Sequence, residues 1–188
     1  MKNIIKGTLG IFGLLLAYLL LWPVGVDPVV WEAPVAPAMT GQFAPNGYLK
    51  DAEVLGLDDG IGPEDVAVDD AGNMFAPFDD GRIMKYDVFG KNLGIFINTG
   101  GRPLGLDFDA SGNLIIADAY KGLLSADKDG NLTTLTTEAE GLPFKFTDDV
   151  DVASDGKIYF SDASSGFDIH DYRLDLMVHR PLGRLLVY

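Results

Sequence analysis

The sequence predicts an all-β fold, a β-propeller of about three blades, preceded by one transmembrane helix at the N-terminus. Three observations support this prediction. A long uncharged apolar segment lies near the start of the chain, and a four-stranded pattern with a period of about 40 residues follows it. The chain also contains 23 glycines, and glycines between short alternating runs are typical of hairpin turns.

Residues 1–26 are predicted to form a signal anchor. The stretch 7–26 carries no charge, and about 20 helical residues span the roughly 30 Å of a bilayer core. Lys2 and Lys6 precede this stretch and Asp27 follows it. The positive-inside rule therefore places the rest of the chain on the non-cytoplasmic side, periplasmic or extracellular. Two alternatives are a cleaved signal peptide with secretion of the body, and a soluble helix.

Residues 27–42 are rich in proline and are predicted to be an extended spacer. The remaining residues, 43–188, are predicted to form a partial propeller with blades near 54–100, 101–140 and 141–188.

An internal repeat carries the propeller prediction. The segment 62–87 lines up with 102–127 and with 146–164, which resumes at 183–188. Each unit has an alternating strand, a glycine-containing turn and further apolar strands, as expected of a propeller blade. A β-sandwich is the alternative, but a sandwich does not require a fixed period in which the same turn recurs.

The third unit carries an insertion, residues 165–182, between its second and third strands. Loops of this length inside compact folds are often functional. The insertion contains both histidines, His170 and His179, which we expect at the surface or rim. Tyr120 and Phe167 are expected near the mouth of a pocket.

Composition excludes several classes of function. The net charge of −14 disfavours nucleic acid as a partner and suits cations, including a hard metal ion held by carboxylates. The chain has no cysteine, so disulfides, thiolate catalysis and cysteine-based zinc sites are excluded. No nucleophile elbow, phosphate-binding loop, dinucleotide fingerprint or zinc-binding triad is present.

Four segments together resemble the strictosidine synthase-like family, a group related to the paraoxonases and gluconolactonases among six-bladed propellers. These segments are GPEDVAVD, GRPLGLDFDASGNLIIADAYKGLL, KFTDDVDVASDGKIYFSDAS and DYRLDLMVHRPLGRLLVY. The resemblance implies six blades, of which this chain holds about the first three. The catalytic residues are unknown and are expected in the missing C-terminal half. A chain complete at three blades would need to self-associate, because an open half-propeller leaves unpaired strand edges.

A metal site is predicted where the inner strands begin. Glu64, Leu104 and Asp148 occupy one repeat position just before these strands, and Asp65 and Asp149 follow directly. Inner strands converge on the propeller axis, and converging carboxylates raise one another's pKa unless a cation lies between them. Ca²⁺ is the natural occupant, since it takes six to eight oxygen ligands. The alternative for Asp65 and Asp149 is hydrogen bonding to loop backbone.

The resemblance adds an expectation for each of these residues. It implies that Glu64 is a metal ligand and that Asp148 lies where paraoxonases have an asparagine ligand. Asp65 and Asp149 match a second, structural calcium site. Leu104 falls where paraoxonases carry a histidine implicated in lactone hydrolysis, which argues against that chemistry at this position. Asp118 and Asp162 share another repeat position and are expected to stabilise turns.

Three functions are consistent with these features. The leading hypothesis is a calcium-dependent hydrolase of esters or lactones, acting on a small-molecule substrate outside the cytoplasm. The first alternative is a non-enzymatic, membrane-tethered propeller that binds a partner or small ligand. The second is the strictosidine synthase-type amine–aldehyde condensation, for which this chain supplies no catalytic glutamate.

Overall fold

The computed structural model of the protein describes residues 2–23 and 25–188, with side chains from residue 5 onward. Met1 and Val24 lie outside the described residues. Helix α1 spans Lys2–Leu21 and a 3₁₀ turn spans Gly41–Phe43. Between them the chain has no helix or strand among its described residues, in keeping with its proline content.

The predicted transmembrane helix over residues 7–26 is wrong. Among the described residues, no helix combines the length and apolar character needed to cross a membrane. Helix α1 contains Lys6 and ends at Leu21, and Pro23 disfavours helical backbone in the residue before it. The uncharged part of α1 is therefore only about 22 Å long, less than the bilayer core of about 30 Å.

Two four-stranded antiparallel sheets form the first two blades. Each sheet is a meander in which every strand pairs with the next strand in sequence. The first strand of each sheet therefore lies at one edge, with a neighbour on one side only. Blade 1 contains β1 (Ala67–Val68), β2 (Met74–Pro77), β3 (Arg82–Tyr86) and β4 (Asn92–Asn98). Blade 2 contains β5 (Pro103–Phe108), β6 (Leu114–Asp118), β7 (Gly122–Ala126) and β8 (Leu132–Thr136).

The third blade has three strands in the described chain. A short hairpin, β9 (Glu138–Ala139) and β10 (Leu142–Pro143), leads into β11 (Thr147–Val152), β12 (Ile158–Asp162) and β13 (Arg184–Val187). The insertion between β12 and β13 carries a short helix, α2 (Tyr172–Val178). The proline-rich segment contacts this insertion, because the Val29 amide donates to the Met177 carbonyl at 3.1 Å.

A recurring aspartate closes the hairpin turns. In blade 1, Asp69 accepts hydrogen bonds from the backbone amides of Ala71 and Asn73 and from the Asn73 side chain. Asp109 and Asn113 repeat this arrangement in blade 2. The glycine before each asparagine has a positive φ, 84° at Gly72 and 79° at Gly112, a conformation that glycine adopts without steric cost. The D-x-x-G-N pattern therefore specifies the turn.

Apolar side chains fill the spaces between neighbouring blades. The first interface joins one face of blade 1, including Phe75 and Ile83, to blade 2 residues such as Leu106 and Ile116. The second interface joins the opposite face of blade 2 to blade 3, and its buried members are Ile115, Ala117, Leu123, Val150, Ile158 and Phe160. Blade 2 thus buries its two faces against different neighbours, as expected of a propeller blade.

The first strand of each blade is its inner strand. The inner strands of blades 2 and 3, β5 and β11, approach so closely at Gly105 that a side chain does not fit between them. A Cβ atom at Gly105 would lie 2.6 Å from the Asp149 Cα and 2.8 Å from the Val150 nitrogen. These neighbours are backbone atoms, so the two strands would have to move apart to relieve the overlap.

We expect Gly105→Ala to lower the free energy of unfolding by about 1–3 kcal/mol, because overpacking forces backbone shifts. Urea unfolding followed by far-ultraviolet circular dichroism, which reports the sheets, measures the change. Gly47→Ala is the matched control, since the nearest atom to its added Cβ is 3.7 Å away. Equal stability of the two variants would contradict the close approach of the inner strands.

Candidate functional site at the propeller axis

Four acidic residues from blades 1 and 3 lie near the starts of the inner strands: Glu64, Asp65, Asp148 and Asp149. Glu64 is exposed to solvent, yet partial desolvation raises the pKa of its carboxyl group above the ordinary value, and the charges of Asp148, Asp149 and Asp65 raise it further. Burial, followed by the charge of Asp149, likewise raises the pKa of Asp148. These carboxyl groups are far apart in sequence, so the fold creates this negative potential.

Two of the four, Glu64 and Asp148, have uncommitted oxygens. Within the described residues, neither carboxylate accepts a hydrogen bond from the protein. The same part of the chain contains no group of three or more histidine, aspartate or glutamate side chains placed to hold a metal ion. The predicted metal site therefore stays a prediction, to which this chain would contribute these two ligands.

Asp65 and Asp149 are engaged with backbone. Asp65 accepts a hydrogen bond from the Val66 amide at 2.7 Å through Oδ1 and from the Leu106 amide at 2.8 Å through Oδ2. It therefore links the inner strands of blades 1 and 2. Asp149 accepts a hydrogen bond from the Val150 amide at 2.9 Å. These contacts match the backbone-bonding alternative, although they do not test whether either residue also binds a metal.

Arg102 lies beside the acidic group and was missed by the sequence analysis. Its guanidinium donates to the Gly62 carbonyl at 3.0 Å and lies 3.2 Å from Asp79. Its positive charge opposes the rise in the pKa of Glu64. The sequence offered one signal for it: in the second repeat Arg102 occupies the position that Gly62 occupies in the first repeat.

Asp118 and Asp162 stabilise turns, as the sequence predicts. Both are fully buried. Asp118 accepts hydrogen bonds from the backbone amides of Arg102, Tyr120 and Lys121 and from the Thr99 hydroxyl. In blade 3, Asp162 takes the corresponding position and pairs with the Arg184 guanidinium at 2.6 Å. Both carboxylates thus hold the loop that delivers the chain to an inner strand.

A cavity of about 410 Å³ lies between the second and third blades. Tyr120 and Phe167 both line it, together with Phe144, Lys145 and Asp168. The cavity is an open cleft whose lining combines aromatic and charged side chains.

The two histidines occupy different surroundings. The Tyr120 hydroxyl and His170 Nε2 are 3.1 Å apart, and their rings stack with centroids 5.5 Å apart. This contact holds the insertion against blade 2. His179 lies away from this cavity and stacks on Trp31 at 5.7 Å.

Leu104 lies between Glu64 and Asp148 in the repeat order and is buried. Because leucine cannot transfer a proton, blade 2 supplies no acid or base at this position.

The acidic group makes stability depend on pH. A raised pKa means that the folded protein binds a proton more tightly than the unfolded chain does. The contribution of Glu64 and Asp148 to stability therefore increases as pH falls from neutral through their raised pKa values. It levels off below their ordinary values of 4.5 and 3.8.

We expect Asp148→Asn to lower the pKa of Glu64, because one of the charges that raise it is removed. A carboxyl-carbon NMR titration of Glu64 measures this change. Asp151→Asn is the control, since Asp151 is not among the charges that raise the Glu64 pKa. An unchanged Glu64 titration in Asp148→Asn would show that the two groups do not interact.

Comparisons with known proteins identify the family. The strictosidine synthase-like N-terminal family matches residues 41–86, and the strictosidine synthase family matches residues 148–188. Protein STRICTOSIDINE SYNTHASE-LIKE 6 of Arabidopsis thaliana is 36% identical over 171 residues, covering 86% of this chain and 46% of the relative. The adipocyte plasma membrane-associated protein of Homo sapiens is 34% identical over 183 residues, covering 88% and 43% respectively.

The chain spans less than half the length of these curated relatives. Among solved structures, a gluconolactonase from Xanthomonas campestris superposes with a TM-score of 0.51 at 20% identity, covering 57% of this chain and 37% of that protein. At this identity the likeness concerns the fold alone, and it confirms the predicted β-propeller. The ordered family matches, the curated relatives and the blades lead to one conclusion: the chain belongs to the strictosidine synthase-like family.

Proposed function

We propose that this chain is part of a longer protein that hydrolyses esters or lactones and binds Ca²⁺ at the propeller axis. One observation carries the proposal: Glu64 and Asp148, which come from blades 1 and 3, both have carboxylates that accept no hydrogen bond within the described chain. In support, desolvation and then the charges of Asp148, Asp149 and Asp65 raise the pKa of Glu64. A bound cation would relieve this repulsion, and oxygen-rich acidic sites favour Ca²⁺.

The residues of this chain fit such a site in part. Glu64 and Asp148 have carboxylates that accept no hydrogen bond within the described chain, so both are available as ligands. Ca²⁺ takes six to eight oxygens, so the other ligands would come from water and from blades beyond this chain. When bound, a calcium ion polarises a carbonyl group and lowers the pKa of a water molecule.

The chain's other residues support binding and positioning. Arg102 offsets part of the negative potential at Glu64, which limits protonation of that carboxyl group. The cavity between Tyr120 and Phe167 offers aromatic surface for the apolar part of a small substrate. With leucine at position 104, the general acid or base would have to come from the later blades.

The cavity also favours a second candidate, a propeller that binds a small ligand without converting it. Its lining brings aromatic rings and a lysine together, and these groups could contact a small ligand without a metal. The two candidates differ in whether a substrate is turned over.

We expect the full-length protein to hydrolyse aryl esters or lactones in Ca²⁺ and to lose this activity in EGTA. Glu64→Gln should weaken Ca²⁺ binding, measured by isothermal titration calorimetry, by at least about tenfold, because one charged ligand is lost. Glu138→Gln, an exposed carboxylate on β9, is the matched control and should bind Ca²⁺ normally.

Hydrolysis at equal rates with and without EGTA would remove the calcium mechanism. Binding of a small molecule with no turnover of any ester or lactone would favour the second candidate.

We also propose that the longer protein associates with a membrane surface. Relatives from Salmo salar and Homo sapiens are named adipocyte plasma membrane-associated protein. Helix α1 exposes many apolar side chains, including Phe12 and Leu14, that are suited to contact with lipid. We expect the full-length protein to float with lipid vesicles in a density gradient, and protein that remains at the bottom would contradict this location.

A further inference from the structure

A second cavity, of about 290 Å³, lies between blades 1 and 2. Its lining includes Val68 and Phe108, the last residues of β1 and β5, whereas Glu64 precedes the start of β1. The cavity also shares no lining residue with the cleft beside Tyr120. It is therefore separate from the acidic group at the axis and from that cleft.

Three phenylalanine rings form the floor of this cavity: Phe75 and Phe96 of blade 1 and Phe108 of blade 2. The ring centroids of Phe75 and Phe96 are 5.1 Å apart with their planes at 84°, and those of Phe75 and Phe108 are 5.2 Å apart at 75°. Phe75 is buried, and the other two rings pack against the core between the blades. The packed rings offer an apolar surface of fixed shape.

Blade packing alone does not require these rings. The second interface is joined in the same way as the first, since Asp107 of blade 2 accepts a hydrogen bond from the Val152 amide of blade 3 at 2.7 Å, as Asp65 does from the Leu106 amide. At the positions aligned with the three rings, however, the second interface has aliphatic side chains: Ile115, Leu135 and Val152. The aromatic floor is thus a property of one interface and not of the repeat.

Two lysines, Lys85 and Lys128, line the same cavity. Lys85 Nζ lies 4.8 Å from the centroid of the Phe75 ring and 3.6 Å from an oxygen of Asp69, which is too far for a hydrogen bond. Lys128 is exposed, and its ammonium group has neither an ion pair nor a hydrogen bond within the described chain. The residue aligned with Lys85 in blade 2 is Ser125. An ammonium group has three donors, so this wall carries donors without acceptors.

The carboxylates of the lining are in the opposite state. Asp69 and Asp109 accept hydrogen bonds from the backbone amides and side chains of Asn73 and Asn113, so their oxygens are committed to the turns. Asp70 is exposed at the rim and is the lining carboxylate without a hydrogen bond in the described chain. Vacant donors beside committed acceptors favour a ligand that brings acceptor oxygens.

We propose that this cavity binds a small organic carboxylate, whose apolar body lies on the rings of Phe96 and Phe108 and whose oxygens accept hydrogen bonds from Lys85 and Lys128. Hydrogen bonds between ammonium and carboxylate groups are among the strong ones in proteins. The volume of about 290 Å³ lies at the lower end of ligand pockets and suits a body of about one ring. This inference does not depend on the proposed hydrolase or on calcium.

The probe is phenylacetate, with 2-phenylethanol as the neutral comparator and benzylamine as the cationic one. Binding to the full-length protein is measured by isothermal titration calorimetry in EGTA, so that calcium at the axis cannot hold the carboxylate. We expect phenylacetate to bind with a dissociation constant of about 1 mM or lower. The two comparators should bind at least about tenfold more weakly, because neither can accept charge-assisted hydrogen bonds from the lysines.

Lys128→Met locates the site, because it removes the ammonium group and breaks no ion pair or side-chain hydrogen bond within the described chain. It should weaken phenylacetate binding by about three- to tenfold. Lys121→Met is the matched control, since Lys121 is an exposed lysine of blade 2 outside the cavity lining. Phe108→Val introduces the residue that blade 3 has at the aligned position, and it should weaken binding by at least about threefold.

Asp70→Asn tests the sign of the ligand charge. Removing this negative charge at the rim should tighten phenylacetate binding, whereas a site for cations would lose affinity for benzylamine.

Three results would overturn the proposal: no saturable binding of phenylacetate up to about 10 mM, equal affinities of Lys128→Met and Lys121→Met, or tighter binding of benzylamine than of phenylacetate. No readout involves activity or calcium, so failure here is distinct from failure of the proposed hydrolase.

Discussion

The structure depends on how the inner strand of each blade satisfies its backbone at the axis. Each inner strand has a sheet neighbour on one side only, and buried amides without an acceptor are costly. Aspartates on adjacent inner strands supply the acceptors. The strands must then lie close together, which explains why Gly105 has no room for a side chain. The same closeness concentrates negative charge near Glu64.

Hydrogen bonding to the backbone accounts for part of the chain's acidic composition. Many of the chain's carboxylates accept hydrogen bonds from backbone amides. Asp69 and Asp109 do so within hairpin turns, and Asp65 does so between blades. Asp118 and Asp162 accept from amides that directly precede an inner strand. Carboxylates that make such bonds stabilise the fold. Glu64 and Asp148 make none within the described chain, and this separates them from the structural set as candidates for function.

The sequence was informative where a local pattern has one structural outcome. Alternating apolar runs separated by glycine-containing turns predict the strands of all three blades, because strand register and turn geometry are set by neighbouring residues. The membrane-spanning helix was wrong because the predicted apolar length continued past Pro23 to residue 26, whereas the helix ends at Leu21. Asp107 and Arg102 were missed because their partners, Val152 and Gly62, are about 40 residues away in sequence and become neighbours only when blades pack. The sequence did offer a signal for Asp107, since it is a charged residue within the otherwise apolar strand β5.

The aspartates that join neighbouring inner strands lie at different levels along those strands. Asp65 of blade 1 accepts a hydrogen bond from the Leu106 amide of blade 2. Asp107 of blade 2 accepts one from the Val152 amide of blade 3, two residues further along the strand at aligned repeat positions. Each pair of blades is therefore joined at its own level, so the loss of one aspartate would loosen one interface while the other keeps its hydrogen bond.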